Sequence, residues 1–146
     1  MSINKLFLEP DGLVVGNNQL VTSGGGVSVG KNLVVQGTVT DSIGDIRSIP
    51  VNTQSSAYTL AKTDGGKMIS ITAGGVTVPN SNVISVGQTF SIFNNSNLSQ
   101  TITPSSGTTM YLTGTALTGN RTLTQYGIAT IVCVAANIYV IAGSVS

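Results

Sequence analysis

Nowhere in these 146 residues do apolar side chains recur at the i, i+3, i+4 spacing of an amphipathic helix for more than about ten residues. The chain is left with sheet. Short runs rich in Val, Ile and Thr alternate as a pleated surface requires, and Gly, Ser, Thr and Asn interrupt them. This pattern predicts strands over 67–72, 75–78, 88–93, 99–103, 109–113, 121–125, 127–135 and 138–142. Ala73-Gly74-Gly75 reads as a hairpin-like connection, and Asn94-Asn95-Ser96-Asn97 as a turn. The runs 127–135 and 138–142 are apolar on both pleat faces. They are expected to form a central hairpin turned at Ala136-Asn137. Ile131 and Cys133 would face one layer, and Thr130, Val132 and Val134 another, so the strand is either core or pressed against a neighbouring subunit. The expected fold is all-β, with a small antiparallel β-sandwich or barrel, jelly-roll-like, over residues 51–146.

The first forty residues follow another rule. Gly12-Leu13-Val14-Val15-Gly16 recurs as Gly26-Val27-Ser28-Val29-Gly30, Leu20-Val21 is answered by Leu33-Val34, and Gly24 by Gly37. A unit made of a short strand, a glycine corner and another short strand cannot bury both of its faces alone. Residues 1–40 are therefore expected to form an extended β arm that docks and trimerises, intertwined with two other copies. Val27, Val29, Leu33, Val35 and Val39 form the interface stripe, and Ile3, Leu6, Phe7 and Leu8 an apolar docking tip. Residues 41–50, with Asp41, Asp45 and Arg47 around Gly44 and a closing Pro50, read as the junction.

Charge narrows the function. Only 8% of residues are charged, against roughly a quarter in an ordinary soluble domain, and from Met68 to Ser146 Arg121 is the single charge. A net charge of +1 offers no basic face to nucleic acid. A mean hydropathy of +0.33 excludes a disordered chain. No stretch reaches the roughly 18 apolar residues of a membrane span, and Leu6-Phe7-Leu8 is too short for a signal-peptide core, so synthesis in a cytosol is expected. A neutral half-chain must stay soluble through Ser, Thr and Asn, or have its surface covered by neighbours. Arg121 must then reach water or meet an acceptor on a partner.

The catalytic inventory is thin. Without histidine there is no Ser-His or Cys-His pair, and lone Cys133 permits neither an intramolecular disulfide nor a zinc site; it is expected to be buried and inert. Glu9, Asp11, Asp41, Asp45 and Asp64 sit in turns, the junction or the arm, where solvated turn chemistry accounts for them. Asp41 and Asp45 are too few oxygens for calcium unless three copies pool them. Gly24-Gly25-Gly26 lacks the Gly-Lys-Ser/Thr and helix of a phosphate loop. Tyr58, Tyr111, Tyr126 and Tyr139 are expected in core or interface packing, with a sugar-stacking surface as the alternative. No enzyme, cofactor or metal is expected.

One resemblance adds to this. Val29-Gly30-Lys31-Asn32-Leu33-Val34-Val35-Gln36-Gly37-Thr38-Val39-Thr40 resembles the glycine-and-valine repeats of trimeric fibre and appendage proteins of tailed bacteriophages. Residues 41–50 with Gln54-Ser55-Ser56-Ala57-Tyr58-Thr59-Leu60, together with 69–79 and Gly119-Asn120-Arg121-Thr122-Leu123, are similar to a small β domain of phage virion proteins, cyanophages among them. The resemblance spans most of 26–142 and implies a homotrimeric virion structural protein, assembled in the host cytoplasm. With so short a chain, the expected role is a capsid decoration (cement) protein or short head appendage that binds the major capsid protein, or a neighbouring virion protein, through its arm. The alternative is a fibre or spike tip that recognises host-surface glycan through loops such as 94–99. Neither role involves nucleic acid or membrane.

Overall fold

The computed structural model describes residues 35, 37–41, 46, 48–80 and 82–146. The docking residues Ile3, Leu6, Phe7 and Leu8 and the stripe residues Val27, Val29 and Leu33 lie outside them. Two compact units divide the chain, Met1–Gln36 and Gly37–Ser146, and the strands described belong to the second.

Ten strands build two mixed sheets. β1 (Val51–Gln54), β3 (Met68–Ile71) and β5 (Thr89–Asn94) run parallel in one. β2 (Tyr58–Thr59), β4 (Val76–Val78) and β6 (Gln100–Pro104) run parallel in the other. The chain thus crosses from sheet to sheet at every step and returns each time beside the strand it left, winding three turns of a flattened coil. β7 (Thr109–Leu112), β9 (Ile128–Ala135) and β10 (Ile138–Gly143) complete a six-stranded sheet in the order β1-β3-β5-β9-β10-β7, and β8 (Arg121–Leu123) completes a four-stranded one, β2-β4-β6-β8.

The all-β expectation holds, and the antiparallel, jelly-roll-like one is corrected. β5–β9, β9–β10 and β6–β8 are antiparallel, whereas the other five pairings are parallel. The physical reason sits at Ala73-Gly74-Gly75, which turns a corner instead of closing a hairpin. Gly74 and Gly75 both take positive φ, 82° and 72°. A Cβ on Gly74 would run into the backbone of Ala57 in the turn of coil before, and one on Gly75 into the backbone of Thr101 in the turn after. Only hydrogen fits between such stacked corners. Backbone bonds lock the stack, with Tyr58 N–H donating to Gly75 O at 3.1 Å and Leu60 N–H to Thr77 O at 3.0 Å.

Both sheets contribute to one core. Ile69, Ile71, Phe90, Ile92, Ile131 and Ile141 from the larger sheet meet Val76, Val78, Ile102 and Leu123 from the smaller, all essentially without solvent contact. The β9–β10 hairpin forms as expected, turning at Asn137, one of two non-glycine residues with positive φ among the described residues. Ala129, Ile131 and Cys133 face inward; Cys133 is a free, buried thiol. Asn94, buried at the end of β5, donates from Nδ2 to the carbonyls of Leu98 and Thr124, both at 2.8 Å, so the 94–98 turn is tied down from inside.

Candidate functional site

Residues opposite each other in neighbouring strands share a face, so the register describes the outside of each sheet. On the smaller sheet Thr59 lies opposite Thr77, Thr77 opposite Thr103, and Thr101 opposite Thr122. Hydroxyls cover this face and keep it wet without any charge. On the larger sheet, Val51 pairs with Met68, Phe93 with Ile128, Val132 with Val140, and Val140 with Tyr111. Val51 is 55% exposed, Ile128 50%, Val134 48% and Tyr111 37%, whereas Met68, Phe93, Val132, Ile138 and Val140 are half-buried. Thr53, Ser70, Thr89, Ser91 and Thr130 fill the gaps, and none of these positions is charged.

One strand face therefore meets the core and its reverse meets solvent. Ile131 and Cys133 go inward and Thr130, Val132 and Val134 outward, the expected division of β9. Within this chain only the inner face of β9 is covered. Isolated exposed apolar residues are ordinary, whereas this array is uncharged and runs across all six strands of the sheet.

Other candidates fall elsewhere. Val35 and Val39 are half-buried, and the Val39 carbonyl accepts from Ile46 N–H at 3.0 Å. The four tyrosines do not share a surface. Tyr139 is wholly buried and donates to Pro79 O at 2.9 Å, Tyr58 packs against the core, Tyr111 lies on the outer face, and Tyr126 is exposed in the β8–β9 turn. Burial, with Cys133 close by, pushes the Tyr139 phenol above its ordinary 10.0. Burial, with the Asp64 hydrogen bond, does the same for Tyr58.

Asp64 corrects the expectation of a solvated turn. It is 2% exposed, at the end of a 3-10 turn, Lys62–Asp64. Asn52 Nδ2 donates to its Oδ1 at 2.9 Å, and Tyr58 Oη and Ala61 N–H donate to its Oδ2 at 2.7 and 2.8 Å. Both oxygens are committed to holding the first turn of the coil, which is a structural use of a carboxylate. Among the described residues no three of His, Cys, Asp or Glu gather as a metal site, and no helix is long and apolar enough to cross a membrane. In the 94–99 loop, Asn94 and Ser96 spend their polar groups within the loop and on Thr124 and Gln100, leaving Asn95, Asn97 and Leu98 outward.

Sequence reasoning missed Val51, Phe93, Ile128, Val140 and Tyr111 as members of one surface. The signal was the two-faced apolarity of 127–135, which required a second layer and did not say whether this chain supplied it. No family model matches this chain, and no curated protein matches it.

Proposed function

We propose that the protein is a non-enzymatic structural subunit that assembles as a homotrimer and decorates a phage capsid, with its N-terminal arm bound to the lattice. The observation that carries the assembly half of this reading is the uncharged apolar array on the larger sheet. Rotational assembly brings identical surfaces near one another, and a face without charge has no like-charge repulsion to overcome. The threonine-covered smaller sheet, by contrast, is suited to remain in water. The capsid half rests on the resemblance of residues 29–60 to virion appendage proteins. A subunit that binds only the assembled lattice stabilises it by mass action.

Co-sedimentation with capsids tests the role. The full chain is expected to pellet with phage capsids and raise their unfolding temperature, whereas a chain lacking residues 1–11 stays in the supernatant with unchanged secondary structure. Equal binding by the truncated chain would overturn the docking assignment. Failure of the full chain to bind, with retention on a glycan array, would favour a recognition tip.

A further inference from the structure

Arg121 is the only charge between Met68 and Ser146, and it barely reaches water. It opens β8 two residues before Leu123, so strand alternation places both on the core side, and it is only 8% exposed. Its Nη1 donates to the Asn120 carbonyl at 2.7 Å. Its Nε and Nη2 are buried and have no hydrogen-bond partner among the described residues. These two atoms are not an arbitrary pair. Nε–H and the adjacent Nη2–H point the same way along one edge of the guanidinium, the fork that matches two oxygens of a carboxylate or phosphate. A buried cation with two unused parallel donors is too costly to stand alone.

We propose that Arg121 is the centre of an oxyanion site, its Nε/Nη2 edge holding a carboxylate or phosphate group in a bidentate clasp. No acidic side chain lies anywhere from Gly65 to Ser146. The backbone oxygen of Ser146 accepts from Thr122 N–H at 2.9 Å, and the oxygens of Asp64 are taken by Asn52, Tyr58 and Ala61. The oxyanion proposed is a free one or an Asp or Glu of a second copy, and it comes from outside the acid-free stretch 65–146. The site lies on β8, an element distinct from the apolar array, so its failure would leave the assembly reading standing.

The test is thermal unfolding of the full chain at constant ionic strength, in parallel with 15N NMR of the arginine Nε–H groups. For a free oxyanion, phosphate or formate raises the wild-type unfolding temperature by about 5 °C for each tenfold increase above its dissociation constant. It also moves the Arg121 Nε–H resonance downfield. For a carboxylate of a second copy, both changes appear instead as the protein is concentrated in anion-free buffer. In either case R121M, which keeps the length and loses the fork, shows no such increment over its own baseline, and R121K, with charge and no fork, loses most of it. Equal responses in wild type and R121M, or an Arg121 resonance that neither titration moves, would overturn the proposal. The NMR measurement needs no variant, so a misfolded R121M does not remove the test.

Discussion

Two buried polar side chains show how single residues hold this domain. Asp64 accepts three hydrogen bonds in the first turn of the coil, and Tyr139 spans the core to donate to Pro79 O. The Tyr139 phenol binds its proton more tightly when folded than when unfolded, since burial raises it above 10.0. The stability it contributes is complete below that pH and is lost as pH climbs past it, because the unfolded chain then releases a proton that the folded chain still holds. Tyr58, raised in the same direction, adds to this decline. Urea unfolding across neutral and alkaline pH should show stability falling above pH 10, and Y139F should flatten that fall while costing about 1 kcal/mol at neutral pH through the lost bond to Pro79. A parallel alkaline decline in Y139F would contradict this account.

At the level of elements, the corners decide the winding. Gly75 has positive φ and lies against the backbone of Thr101. G75A should destabilise the domain by at least about 2 kcal/mol, measured by urea midpoint, whereas alanine at Gly107, also at positive φ but with open space around it, should cost only about 1 kcal/mol. Eight strands were readable from alternation and turn residues. β1 was not, because Val51-Asn52-Thr53-Gln54 inverts the usual pattern. Its polar Asn52 lies on the core side, where Asp64 and Tyr58 satisfy it, while Val51 points out. The direction of pairing was equally hidden, since parallel and antiparallel strands share one period and the partners of Gly74 and Gly75 are distant in sequence. Arg121 stood out as a lone charge, yet its burial required noticing that it alternates into register with Leu123.

For the whole molecule, the two outer faces differ: threonine hydroxyls line the smaller sheet, and an uncharged apolar array lines the larger one. Static light scattering of the full chain is expected to give three times its 14.8 kDa. Placing lysines in the array, I128K with V134K, should reduce that mass to one chain with the secondary structure intact, since both side chains already point to solvent and leave the core untouched. A single-chain mass for the wild type would defeat the assembly reading. The trimeric arm expected from the glycine-and-valine repeat is a separate matter, because most of its stripe lies outside the described residues.

The winding of β1 to β6 carries one more implication. Each circuit is stitched mainly to its immediate neighbours, so a circuit behaves as an interchangeable spacer between the start of the domain and the hairpin that closes it. Copying residues 68–88 in tandem should lengthen the domain by one layer while leaving its closing end unaltered, so the height of the domain is adjustable without redesigning either extremity.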